Sequence, residues 1–102
     1  MKPTNSRELN EYGIPYYTME SIDKYVRCGV CGDFVRAVME NNLMEALGRA
    51  DSENRAAIFE ICLYVNNRIP DMCHGSAEKV KAWEKAKLKK RMQTEAQDGR
   101  WN

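Results

Sequence analysis

Apolar positions recur at helical spacing through most of the chain. A capping residue precedes nearly every apolar run, and Gly, Asn or Pro follows it. Thr18 stands before Met19, Ile22, Tyr25 and Val26, and its hydroxyl is suited to accept from the unpaired amides of a first turn. A first helix is therefore expected from Thr18 to Cys28, closed by Gly29 in the left-handed conformation. Asp33 is placed to cap a second helix carrying Phe34, Ala37, Val38 and Met39, which Asn41 and Asn42 stop. Leu43, Met44, Ala46 and Leu47 predict a short third helix that Gly48 ends or kinks. Asp51 or Ser52 then caps the longest apolar run, from Ala56 to Val65, in which Glu60 is the sole charge. A segment apolar nearly all round is expected to be the buried central helix of the fold, at about residues 53–67. Phe59, Ile61, Leu63 and Val65 also alternate as in a strand, but the capped entry, the Ala56-Ala57 pair and the length favour a helix. Asn66 to Pro70 closes this helix, and Ser76 caps a last one that docks through Val80 and Trp83.

The flanks read differently. Residues 1–17 mix polar side chains with Pro3, Gly13 and Pro15, and predict an extended lead-in. Tyr12, Ile14, Tyr16 and Tyr17 are too apolar for a free tail and suit a strap across the helices, or a partner's surface in the sharper reading. Beyond Lys85 apolar residues thin out, leaving Lys85, Lys87, Lys89, Lys90 and Arg91 on a polar arm with little to pack against and fraying expected past about residue 92. The organisation expected is a lead-in (1–17), a helical domain (18–88) and a basic, frayed tail (89–102). The fold class is all-α, a single bundle of about five helices, at a length that supports one core.

Charge divides along the same line. Residues 1–77 hold 8 basic and 11 acidic side chains, and residues 78–102 hold 8 basic and 4 acidic. A basic extension on a mildly acidic body permits weak, salt-sensitive contact with nucleic acid, although a solvated helix gives the same asymmetry. Trp83 falls in phase with Val80 and belongs to the core rather than to a base-stacking platform, and no helix-turn-helix pattern supports groove reading. There is no secretory h-region, no uninterrupted apolar run of bilayer length and no broad apolar face on the arm, so a cytoplasmic chain without membrane contact is expected.

Candidate chemistry is sparse. Cys28 and Cys31 form a C-x-x-C knuckle with Cys73 and His74 some forty residues on, a set that can hold zinc in principle. The second half is poor, because adjacent side chains seldom point at one metal, and free thiols with no cofactor are expected. Cys62 reads as a small core residue, and Cys73 beside His74 lacks the geometry that activates a thiol. Arg49, Asp51, Glu53, Asn54 and Arg55 gather at one helix junction. The favoured reading is a capping and ion-pair network; the alternative is an anion site in which Arg49, Asp51 and Arg55 hold a nucleotide phosphate. No phosphate loop, dinucleotide fingerprint or spaced carboxylate cluster is present, which argues against an enzyme.

The block from Gly29 to Trp83 resembles a family of short phage and prophage proteins of unassigned function. The resemblance lies in GDFVRAVMENNLMEALGRADSENRAAIFEI, YVNNRIP and HGSAEKVKAW, with Gly48-Arg49-Ala50-Asp51 joined to Glu53-Asn54-Arg55 as its most distinctive string. It implies a viral accessory protein made in a bacterial host, where such proteins occupy, inhibit or redirect host machinery, including antiviral defence. The expectation is a non-enzymatic chain that binds a bacterial host protein by steric occupation, with Tyr12, Tyr16, Tyr17, Lys85, Lys87, Lys89, Lys90 and Arg91 as candidate contacts. The runner-up is a sponge for a nucleotide signal, working as a homo-oligomer through Arg49 and Arg55. A zinc-stabilised nucleic-acid module is third.

Overall fold

Helix α1 spans Tyr16–Cys28 and opens two residues earlier than its hydroxyl signal suggests. Pro15 stands at the N-cap with no side-chain cap bond, its missing N–H suiting it to a helix start. Thr18 lies inside the first turn, buried, with its hydroxyl donating to the side-chain oxygen of Asn54. Tertiary demand has taken the hydroxyl that the sequence reading assigned to capping. The far end is as expected: Gly29 adopts φ 74° and its N–H returns to the Tyr25 carbonyl at 2.7 Å.

The structure, a computed structural model, describes residues 8–99, with side chains through residue 93. Within them the chain is all-α. After α1 come α2 (Asp33–Met39), α3 (Leu43–Arg49), α4 (Ser52–Ala56), α5 (Ile58–Arg68), a 3-10 turn (Asp71–Cys73) and α6 (Ala77–Gly99). No strand occurs among the described residues; Leu9 and Pro15 form one isolated antiparallel bridge. The N-cap of α2 is Gly32, which leaves Asp33 as its first residue, free to face Arg49. Asn41 takes φ 63°, the Asn42 side chain caps α3 through Glu45 N–H, and α3 runs through Gly48 to Arg49. Buried Ala37 and Ala46 let α2 and α3 pack closely.

The segment expected to be one buried central helix is neither continuous nor central. Its N–H at Ala57 is shared between the carbonyls of Glu53 and Asn54, and the chain turns there into α5 without glycine or proline. Small, buried Ala57 can sit against the core where a larger side chain would be pushed out. In α5, Ile61 and Val65 are buried while Phe59 and Leu63 face outward. The central role falls to α1: Ile22 and Tyr25 are fully buried, and the helix packs on α2 and α6 and is tied to α4. Tyr25 donates its hydroxyl to the Cys73 carbonyl at 2.6 Å, and its own carbonyl accepts from Trp83 Nε1 at 3.1 Å.

The last helix has Ser76 at its start, accepting from Lys79 N–H at 3.2 Å, and buries Val80 as expected. It does not leave the body at Lys85. It crosses the end of α1 at Gly29, where a Cβ would lie 2.7 Å from the Cβ of Lys87. One turn on, Arg91 Nη1 donates to the Cys28 carbonyl at 2.8 Å, satisfying an end-of-helix acceptor with a cation. Arg36 and Glu84 add an ion pair at 2.6 Å between α2 and α6. No helix among the described residues is long and apolar enough to cross a membrane.

Candidate functional site

The outward side of α5 leaves two large apolar side chains in water. Phe59 is 69% exposed and Leu63 is 47% exposed, one helical turn apart on the same face. Each flank of this ridge is hollowed. On one side a cleft of about 230 Å³ is lined by Tyr12, Glu60, Leu63, Tyr64, Asn67 and Arg68. On the other a cleft of about 210 Å³ is lined by residues including Val38, Cys62, Asn66 and His74. Ridges flanked by grooves are the form in which helices receive another helix.

The lead-in builds the first cleft. Asn10 folds the chain back by accepting, through its side-chain oxygen, from Tyr12 N–H at 2.8 Å and Ile14 N–H at 3.0 Å. Gly13 takes φ 79° against Glu60, and Ile14 and Pro15 are buried. This sets the Tyr12 ring 5.0 Å from Tyr64 at 58°, with the Arg68 guanidinium 5.1 Å from its centre. From residue 8 to residue 15 the strap reading therefore fits, whereas Tyr16 and Tyr17, expected in the extended lead-in, belong to α1; residues 1–7 lie outside the described residues. Of the three candidate tyrosines, Tyr12 is packed in the strap, Tyr16 stands exposed at the start of α1, and Tyr17 gives its hydroxyl to Asp51 at 2.5 Å.

The arginine junction is occupied by the protein itself. Arg49 reaches Glu45 at 2.7 Å and Asp33 at 3.1 Å, and Arg55 donates to the Ala50 carbonyl at 2.9 Å. Asp51 caps α4 by accepting from Asn54 N–H at 2.8 Å while it holds Tyr17. Consecutive residues of α1, Tyr17 and Thr18, thus grip the first turn of α4 through Asp51 and Asn54. Arg49, Asp51 and Asn54 still line an open depression of about 260 Å³. Both arginines, however, are already paired, and three carboxylates beside Arg49 and Tyr17 repel an incoming anion.

The four cysteines are free thiols, and no three His, Cys, Asp or Glu side chains among the described residues come together as a metal site. Cys28 and Cys31 sit at the α1–α2 turn, Cys73 is buried, and His74 turns away. His74 Nε2 lies 3.1 Å from the Ile69 carbonyl, so it must carry the proton and donate. Burial pushes the Cys31 thiol up to about 11, with Arg36 partly opposing and Glu84 adding, and burial also raises Cys62 and Cys73. Thiols held protonated in this way are poor nucleophiles.

The basic arm divides into two faces. Lys87 lies over Trp83 at 4.7 Å and Arg91 caps α1, so both belong to the fold rather than to a free arm. Lys85, Lys89 and Lys90 are exposed. Sequence reasoning missed Phe59 and Leu63 as surface residues because their apolar character signals burial. It also passed over the buried Thr18–Asn54 pair, whose polar side chains carry no periodic mark. The chain matches no family model, no curated protein and no solved structure.

Proposed function

We propose that this protein works by occupying a surface of another protein and performs no chemistry of its own. The observation that carries the reading is the exposed Phe59–Leu63 ridge between two clefts, where two large apolar side chains are left in water. Burying them against a partner contributes about 1.5–3 kcal/mol per fully covered side chain, enough to act as interface anchors. The resemblance to short phage proteins supports a bacterial host protein as that partner, with an antiviral defence component as the target class and steric blockage as the mechanism. The nucleotide-sponge reading is disfavoured by the carboxylates and existing pairs around Arg49 and Arg55.

The test is affinity capture from nuclease-treated bacterial lysate with the tagged chain and with a Phe59→Ser/Leu63→Ser variant. Both positions are exposed, so the variant should keep its helical signal and its melting temperature within a few degrees. One host protein retained by the parent and lost from the variant supports the proposal. Equal retention by both would remove the ridge from the mechanism, and no retained protein would refute occupation altogether.

A further inference from the structure

We infer that the outward face of α6 is a second binding site, for the phosphate backbone of a nucleic acid. Lys81, Lys85 and Lys89 succeed one another at four-residue intervals, all exposed, in one stripe along the helix. At 1.5 Å per residue the three charges are spread over about 12 Å. Like charges at this spacing oppose helix formation by a few tenths of a kcal/mol per pair, so the stripe does not serve the stability of α6.

Within the stripe the fold also turns the one carboxylate away, while Glu78, exposed one turn before Lys81, marks its N-terminal limit. Between Lys81 and Gln93 the helix carries one carboxylate, Glu84, and this is turned inward to Arg36. No carboxylate among the described residues makes an ion pair with Lys81, Lys85 or Lys89. Ala82 and Ala86, both exposed, lie beside the lysines and add no bulk that would hold a backbone away. Of the remaining cations of the segment, Lys87 and Arg91 are turned to the body and Lys90 is exposed. Arg91, able to make a bidentate contact, is spent on the Cys28 carbonyl, and Lys87 on Trp83, while the outward stripe is lysine alone.

The all-lysine composition of the stripe selects the occupant. Lysine is depleted from protein–protein interfaces, where arginine and aromatic residues are enriched, but it suits phosphate as a mobile point charge. A stripe of three without base-reading partners contacts phosphates and carries no sequence information. Leu88 and Met92 along one edge give too narrow an apolar face to embed in a bilayer. The site is independent of the α5 ridge, and places the protein on nucleic acid while its other surface engages a partner.

Fluorescence anisotropy with labelled duplex and single-stranded oligonucleotides of mixed sequence, across a salt series, tests the inference. Three phosphate contacts predict a slope of log K against log salt of about −2.7 on duplex and about −2 on a single strand. Lys81→Gln/Lys85→Gln/Lys89→Gln, in which a good helix former replaces exposed lysine, should bring the slope near zero and weaken low-salt binding at least tenfold. Phe59→Ser/Leu63→Ser should leave both unchanged. Absent binding at low salt, or a triple variant with the parent's slope, would overturn the inference. So would displacement by polyglutamate or phosphatidylserine vesicles at charge concentrations where a competing oligonucleotide has no effect, because the stripe would then serve an acidic protein or a lipid surface.

Discussion

Thr18→Val removes one hydroxyl and little else, and the structure sets its consequence. Thr18 and Asn54 are 2% and 6% exposed, and the hydroxyl donates to the Asn54 side-chain oxygen across the α1–α4 contact. Valine keeps the shape but leaves that oxygen buried without its donor. Losing a hydrogen bond and stranding a buried acceptor together cost about 1–3 kcal/mol. For a domain of about this size each kcal/mol moves Tm by about 4–8 °C, so a loss near 2 kcal/mol lowers Tm by about 8–16 °C. Urea unfolding should show the same loss as a lower midpoint at constant m-value. Asn54→Leu removes the acceptor, and since Asp51 caps the Asn54 backbone N–H rather than its side chain, the helix start survives the change. The double variant should therefore be destabilised by less than the sum of the two singles, with a coupling of about 0.5–3 kcal/mol. A Thr18→Val protein within about 0.5 kcal/mol of the parent, or an additive cycle, would refute the clasp.

Gly29→Ala should be among the most damaging single changes, since it combines a φ of 74° with a Cβ placed 2.7 Å from that of Lys87. A loss of more than about 2 kcal/mol in urea unfolding is expected, as is typical of a backbone-strain site in the core, and a loss under 1 kcal/mol would mean that α6 does not cross α1 there. Alkaline titration reads the buried acids. The Cys31 thiol is raised by burial from its ordinary 9.0 to about 11, and Tyr25 is raised further, by burial first and then by Cys73 and Cys31. Both groups stay protonated longer in the folded chain, so stability is full below pH 9 and falls as pH rises to 11, by at most about 2–3 kcal/mol for Cys31. Cys31→Ala should reduce the fall over that interval without abolishing it, since Cys62, Cys73 and Tyr25 are raised as well; a parent Tm that does not change between pH 9 and 11 would contradict the buried-thiol assignment.

Periodic spacing and punctuation were enough to mark the chain as helical and to locate α2, α3 and the start of α6, because much of a helix end is local chemistry, but they gave one helix where α4 and α5 stand. Gly29 supplies a left-handed residue, Asn42 and Asp51 accept from amides three residues on, and Ser76 does the same for α6. The all-α class follows from those signals alone. The candidate surface was not legible in the same way. Phe59 and Leu63 look like core by composition, and only the directions taken by neighbouring helices leave them in water. Apolar character sets the free energy available from burial, but which apolar residues are buried depends on what a short chain can bring across from elsewhere. The same holds for polar residues whose role is set at long range. Thr18 had the mark of a cap and became a tie to a helix 36 residues away, while Arg49 and Arg55, read first as part of a capping and ion-pair network and second as an anion site, are engaged by Glu45, Asp33 and the Ala50 carbonyl. Lys85, Lys87, Lys89, Lys90 and Arg91 read as one basic run, and the crossing of α6 over Gly29 divides Lys87 and Arg91 from the rest. Sequence by itself thus determined the all-α class and the neighbourhood of each helix, because periodicity and capping act within a turn, while the start of α1 and the break at Ala57 were set by contacts between helices. Tertiary structure decided which face of each helix meets water, because that depends on groups far apart in the chain.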